Sequence, residues 1–293
     1  VYIGDETSDW AEMRRRSGGI RQACPELMIM IGGSFPRPEL EGVIDIFDPQ
    51  IDLRSNRVYS LPPEEMRPLI ARAQGRGERF FWYVAAGPML PCPNVQMEEP
   101  LIACRALFWL TWKFGVTGFE YYCYNIGWEN FLPPDGKRWP EVPFSPRAFK
   151  WGEDYTNGDG NLFYPGPDGP FSSVRFENIR DGIEDWESHF VLLEYVRALE
   201  AKAGKDSTLA AKAAPMLARA RGILAVPEEV CKLNFTDWTW EPLVLLKARS
   251  NLGQTIEEFA GVVAEEEMLS VRQQRKAAEA DRQRGMLKTR SAA

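Results

Sequence analysis

Short apolar runs alternate with helical periodicity through the first half of the chain. Val1–Gly4 reads as a strand ending in Asp5-Glu6, and Ser8–Ala23 as a helix. Leu27–Ile31 is a second strand closed by Gly32-Gly33, and Val43–Phe47 a third that ends at Asp48-Pro49. Leu61-Pro62-Pro63-Glu64-Glu65 opens a helix, because Pro and acids suit a first turn, where N–H groups lack partners and negative charge is favoured. Arg79–Ala86 is a fourth strand, Glu98–Phe114 an almost wholly apolar helix, and Val116–Tyr124 a fifth strand bounded by Gly115 and Gly118. Continuous apolar strands separated by helices predict parallel pairing covered on both faces. Polar and aromatic residues collect at the strand ends, on the side where a (β/α) barrel carries its chemistry. No Gly-rich phosphate fingerprint follows any of these strands.

Residues 129–171 are rich in proline and glycine and read as irregular. Beyond Ser172 the pattern is helical. Phe176, Ile179, Ile183, Trp186, Phe190 and Leu193 form a one-sided apolar stripe, with Arg175, Glu177, Arg180, Asp181, Glu184 and Asp185 on other faces. Further helices are expected over roughly 195–224, 239–250 and 254–283, and the charged tail from Arg272 reads as a solvated, frayed helix end. The expected division is an α/β region at 1–171 and a helical region at 172–293.

Composition narrows the function. The 293 residues are 44% hydrophobic, too apolar for a disordered chain, and carry a net charge of −7, which argues against a nucleic-acid surface or an anionic membrane as partner. No run approaches the ~18 apolar residues of a spanning helix. A single histidine, His189, excludes any site built from two imidazoles and reads as structural. The five cysteines are odd in number and scattered, unlike a disulfide framework or a zinc site, with Cys104 and Cys123 expected in the core.

The informative excess is aromatic: ten Trp, nine Tyr and sixteen Phe, a supply of rings suited to stacking on sugars. Trp82, Tyr83, Tyr121, Tyr122, Tyr124 and Trp128 cluster at strand ends, although some must pack the core. Strand alternation puts Tyr122 and Tyr124 on one face and Tyr121 on the other. Asp5 and Glu6, adjacent at a strand end, point different ways, so one can orient a substrate while its neighbour moves a proton. The competing reading is that they simply begin the next helix. Asn157-Gly158-Asp159-Gly160-Asn161 lacks the order of a calcium loop and reads as a tight turn from which Asp159 can reach a pocket.

Gly4-Asp5-Glu6, Phe80–Val84, the Arg105/Trp109 helix, GFEYYCYNIGW (118–128), GDGNLFYPG (158–166) and SVRFENIRDGIEDWE (173–187) together resemble the catalytic domain of glycoside hydrolase family 123. The resemblance runs from residue 1 to about residue 200. It implies a TIM-type barrel that removes terminal β-linked N-acetylhexosamine, notably N-acetylgalactosamine, with retention. The substrate's own acetamido oxygen then serves as nucleophile. By position, Asp5 would orient the acetamido group and Glu6 would act as general acid and then base. Asp48, Trp82, Tyr83, Tyr122, Tyr124, Asn125, Trp128 and Asp159 would bind the sugar. No cofactor or metal is called for, and the partner is a carbohydrate rather than a nucleic acid or a membrane.

Family members carry the Asp-Glu pair on the fourth barrel strand. The expected fold is therefore α/β: a partial (β/α)8 TIM-type barrel of about the last five strands, followed by a C-terminal helical region. About three βα units of roughly 30 residues each would be absent from an N-terminally truncated chain. The parent is expected to be secreted or periplasmic, although no signal-type segment precedes Val1. Glu120 stands where relatives usually carry an apolar residue. The alternatives are hydrolysis of a different glycoside on the same scaffold, or sugar binding without catalysis.

Overall fold

The computed structural model describes residues 1–51, 63–125, 149–151, 154–164, 166 and 168–291. Four parallel strands, β1 (Met30–Gly32), β2 (Ile46–Asp48), β3 (Arg79–Val84) and β4 (Gly118–Tyr121), lie side by side in the order β1-β2-β3-β4. Residues 1–4 extend the sheet alongside β1. The Ile3 N–H donates to the Met30 carbonyl at 3.0 Å, Met30 N–H to Val1 at 2.8 Å and Gly32 N–H to Gly4 at 3.0 Å. Spatial order thus follows chain order, each crossover adding the next strand beside the last. Among the described residues β4 pairs only with β3; the observed class is mixed α/β, with a four-stranded parallel sheet. Two short antiparallel pairs follow, β5 (Phe149–Trp151) with β6 (Asp154–Thr156) and β7 (Phe163–Tyr164) with β8 (Phe171–Ser172).

Three helices accompany the strands. α1 (Trp10–Ala23) starts two residues later than periodicity alone predicts, because Asp9 caps it by accepting from the Glu12 N–H at 3.0 Å. α2 (Pro63–Gly75) has Pro63 at its first position. α3 (Ala103–Phe114) buries all but Arg105, Trp112 and Lys113 and ends at Gly115, whose φ of 72° suits a residue without a Cβ. Residues 98–102, expected as its first turn, instead form a loop.

Alternation along β3 sends Phe80, Trp82 and Val84 into the layer between sheet and helices, all with no exposed surface. The Trp82 indole N–H donates to Thr111 Oγ1 at 2.9 Å, and its ring packs against Phe114 and Phe235 at 5.3 and 5.8 Å. Arg79, Phe81 and Tyr83 take the opposite face, joined by Gly118 and Glu120, which are level with Phe81 and Tyr83 in the β3–β4 register. That second face carries the site.

The helical half differs from its expected outline. α4 (Val174–Ala203) runs unbroken through residue 195 and stops before Gly204; Asp206 then caps α5 (Ser207–Leu224), accepting from Thr208 N–H at 2.9 Å. α6 (Pro242–Ala260) passes through Gly253 without a break, and α7 (Glu265–Ser291) follows. The buried face of α4 is also not the apolar stripe. It steps through Arg175, Ile179, Gly182, Asp185, His189, Leu192 and Leu199, while Ile183 is 43% exposed. Polar residues can hold that face because partners come from outside the helix: α3 and α6 supply those of Asp185, and the carbonyls of Val95, Gly158 and Asn161 those of Arg175.

The main core gathers strand residues with Ile179, Phe235, Trp238 and Leu245, so it extends across residue 172; a second core of Leu192, Leu199, Leu217, Leu252 and Phe259 joins the helices to one another. The segment from Arg272 is docked at its start rather than free: Arg275 pairs with buried Glu194 at 2.7 Å and stacks over Phe190. Cys104 is buried as expected, but Cys123 is only half-buried because β4 ends before it. No helix of the described residues is long and apolar enough to cross a membrane.

Candidate active site

Asp5 and Glu6 follow the first strand directly, at its carboxyl end, and both side chains are exposed. Each is held by a different tyrosine. Tyr2 donates its hydroxyl to Asp5 Oδ1 at 2.8 Å, and Tyr83, from the end of β3, donates to Glu6 Oε1 at 2.6 Å. Glu6 has φ of 42°, a left-handed conformation that costs a non-glycine residue free energy and tends to persist where a site over-determines it. Gly33 makes that turn possible. A Cβ at Gly33 would lie 2.7 Å from Glu6 Cα, and Gly33 itself has φ of 65°. Gly32 is equally constrained, since a Cβ there would lie 1.8 Å from the Tyr2 hydroxyl. The Gly32-Gly33 pair, legible in the sequence only as a strand stop, therefore leaves room for the Tyr2–Asp5 contact and for the Glu6 backbone.

Asp48 ends β2 on the same face. Its side chain is completely buried, and neither carboxylate oxygen has a donor among the described residues. Its neighbour is the carboxyl of Glu120, within hydrogen-bonding reach, with Asp5 also close enough to act on it. Burial, then the Glu120 contact, then the negative charge of Glu120 and Asp5 push the Asp48 carboxyl well above the usual range. Two carboxyls in contact need a proton between them, which is why Asp48 lacks a conventional donor and is still not isolated. The surrounding phenols are raised by burial first and by the same acids second: Tyr83 by Glu6, Asp5 and Asp48, and Tyr2 by Asp5, Glu120 and Asp48. Neither tyrosine ionises near neutrality, so both remain donors.

A second cluster stands beside the first. Asp159, in the turn of residues 157–160, accepts from Tyr121 at 3.1 Å, Tyr122 at 3.0 Å and Gln96 at 3.3 Å. Burial raises its carboxyl despite these donors. The Gly160 N–H donates to Tyr121 Oη at 2.7 Å. Arg175, in the first turn of α4, holds this turn from below, donating to Val95 O at 2.6 Å, Gly158 O at 3.1 Å and the Asn161 carbonyl. The GDG and SVR segments, far apart in sequence, are thus two halves of one support.

The expected site residues divide accordingly. Asp5, Glu6 and Tyr83 come together. Tyr122 (46% exposed) and Tyr124 (56% exposed) lie open at the strand-end side, and exposed Asn125 bridges to Asn161. Tyr124 also borders a cavity of about 350 Å3 between β4, α3 and α4. Trp82 is a correction: it faces the helices and is fully buried, so no ligand reaches it. Asp48 is another, because it lies beneath Glu120 rather than at the surface. Asp159 is spent on the two tyrosines and sets Tyr122 from behind. Tyr121 and Tyr122 are not on opposite faces in effect; both hydroxyls reach Asp159, since β4 ends at Tyr121 and alternation ends with it. Trp128 lies outside the described residues. Tyr2 was not among the expected site residues, and Glu120, noted in the sequence only as a departure from relatives, is level with Tyr83 on the same face. No group of acids, His or Cys among the described residues is arranged to hold a metal ion.

Adjacent strand-end carboxylates, each held by a phenol, suit proton transfer to a leaving oxygen. Residues 1–192 match the family model of the glycoside hydrolase 123 catalytic domain. The chain belongs to that family. A glycoside hydrolase takes a carbohydrate as substrate, and the match ends inside α4, so it spans the sheet, the Asp159 turn and its Arg175 support. No curated protein matches the chain.

Proposed function

We propose that this glycoside hydrolase releases terminal β-linked N-acetylhexosamine, with N-acetylgalactosamine as the sugar, by retaining, substrate-assisted catalysis. The sheet is then an arc of a (β/α)8 barrel, and its strand-end face is the sugar site. The observation that carries this reading is the pair Asp5 and Glu6, neighbours in sequence and separately oriented by Tyr2 and Tyr83.

Glu6 begins protonated. Its Oε1 is held by Tyr83, and Oε2 has no donor among the described residues, leaving it for the glycosidic oxygen. As the glycosidic C–O bond breaks, Glu6 gives its proton to the departing oxygen and the acetamido oxygen bonds to C1. Asp5 accepts from the acetamido N–H and stabilises the positive charge of the oxazolinium-like intermediate. Water then attacks C1, Glu6 takes back a proton and the acetamido group is restored. Tyr122 and Tyr124 offer exposed ring faces for the sugar.

Chromogenic N-acetyl-β-galactosaminide hydrolysis by wild type, Asp5→Asn and Glu6→Gln tests the assignment, alongside inhibition by a thiazoline analogue of the intermediate. The expected result is a loss of about 10²-fold or more in each variant, with strong thiazoline inhibition of wild type. Full activity in both variants would remove the pair from the mechanism. Indifference to the thiazoline would point to a different glycoside, and binding of sugar without turnover to a lectin-like role.

A further inference from the structure

The Asp48–Glu120 pair is not used by the mechanism above. It sits at the carboxyl ends of β2 and β4, on the face that carries Tyr83. Gln50, two residues past β2, is level with Tyr83 and Glu120 in the parallel register, and Asp48 lies one same-facing position deeper. Opposite Phe81 stands Gly118, where a Cβ would lie 2.4 Å from the Phe81 ring. The absent side chain leaves β4 only one inward polar group at this depth, Glu120. It is half-buried, whereas Asp48 beneath it has no exposed surface and no donor for either oxygen.

We propose that Asp48 and Glu120 share a proton, with Glu120 the group that accepts a hydrogen bond from a sugar hydroxyl and Asp48 the positioning residue beneath it. This deepens the N-acetylhexosaminidase reading and rests on it for the identity of the sugar. The chemistry follows from burial. A carboxyl shut away from water, with no cation acting on it among the described residues, stays neutral and becomes a donor, and the oxygen it reaches is that of Glu120. Hydrogen-bonded from below, the Glu120 carboxylate is fixed in orientation and turns its remaining lone pairs to the cleft. There it can accept from O–H groups and repels carboxylated or sulfated sugars. The charged groups acting on Asp48 are Asp5, from the turn after the first strand, and Glu120; Tyr2 and Tyr83 are the neutral phenols around it. Among the described residues all of this charge is negative, which favours keeping a proton on the pair.

Two measurements on the intact protein decide the matter. The first is 13C NMR titration of Asp side-chain carboxyls in wild type and Glu120→Gln. Asp48 is expected to titrate well above ordinary aspartates in wild type. In Glu120→Gln its midpoint should fall by at least one pH unit, because the amide offers a donor and removes a negative charge. An Asp48 that titrates with the other aspartates, or is unmoved by the substitution, overturns the shared proton.

The second is the dissociation constant of free N-acetylgalactosamine and of its 3-, 4- and 6-deoxy analogues, read by NMR, for wild type and Glu120→Leu. One deoxy sugar should bind wild type at least tenfold more weakly than the parent sugar, and that ratio should collapse towards one in Glu120→Leu. A ratio that survives the substitution, or the absence of any discrimination in wild type, overturns the sugar contact. A correctly folded Glu120→Gln guards against a purely structural effect in Glu120→Leu. Hydrolysis of N-acetylgalactosaminides with no effect at Glu120 would sink this inference and leave the proposed function standing. A proton-sharing pair that discriminates hydroxyls in a protein without that hydrolysis would do the reverse.

Discussion

Two regions of this molecule treat the carboxylates they hold beside aromatic rings in opposite ways. Between α3, α4 and α6, buried Asp185 receives Arg105 Nε at 2.6 Å and Nη2 at 2.9 Å, Trp109 Nε1 at 2.8 Å and Arg249 Nε at 2.8 Å. At the strand ends, Asp5 and Glu6 each receive one phenol, and Asp48 receives no conventional donor among the described residues. The first carboxylate is saturated and its charge is neutralised; nothing remains for a ligand or a proton to do. The second group is left under-supplied, with negative charge crowded rather than balanced. Saturation marks a joint of the fold, and deficit marks a place where chemistry is prepared.

The contrast can be broken first at the joint. Asp185→Ala leaves the Arg105 guanidinium buried without its carboxylate and should cost about 3–5 kcal/mol in denaturant unfolding. A loss below about 1 kcal/mol would show that the network is ornamental.

The pH responses of the two regions should have opposite signs. His189 meets Trp109 edge-on at 4.6 Å and stacks on Trp112 at 5.1 Å, its Nδ1–H donates to the Asp185 carbonyl at 2.8 Å, and Nε2 has no partner among the described residues. Burial, the leading cause, pushes its pKa down to about 4. The unfolded chain therefore takes up a proton near 6.5 that the folded one refuses. Stability is complete above that value and falls by about 3 kcal/mol as the pH drops to about 4. His189→Gln should flatten this slope in pH-dependent thermal unfolding.

Asp48 works the other way. Its folded form holds a proton that the unfolded chain releases near 4, so its contribution is complete below about 4 and is lost as the pH rises towards the raised folded midpoint. Each pH unit between the two midpoints is worth about 1.4 kcal/mol. Asp48→Asn should therefore be more stable than wild type at pH 8 and no more stable at pH 3; the same ranking at both pH values would refute the assignment.

Much of the strand-end region was legible in the sequence, because it depends on local rules. Five apolar runs in order gave five parallel segments in the same order, and an acid pair after the first run falls at the carboxyl end as expected. What was hidden depends on register. Trp82 and Tyr83 are both aromatic and adjacent, and only pairing with β4 decides that Tyr83 faces Glu6 while Trp82 faces Thr111. The Asp48–Glu120 contact joins two strands with another between them, so no spacing in the chain announces it. The stripe on α4 misled for a related reason. Periodicity scores apolar residues, but the buried line runs through Arg175 and Asp185, whose polarity is offset by partners contributed from other elements, and through His189, bonded within its own helix. A polar residue is counted as exposed until its partners are known.

The central claim is that Glu6 delivers the proton to the leaving oxygen, and the leaving group itself tests it most directly. The measurement is kcat/KM of wild type and Glu6→Gln on two N-acetyl-β-galactosaminides, one with an alkyl or sugar leaving group and one with 2,4-dinitrophenolate, which departs without protonation. The account predicts a loss of about 10²–10⁴-fold on the first substrate and less than about tenfold on the second. Equal losses on both substrates, or none on either, would contradict it.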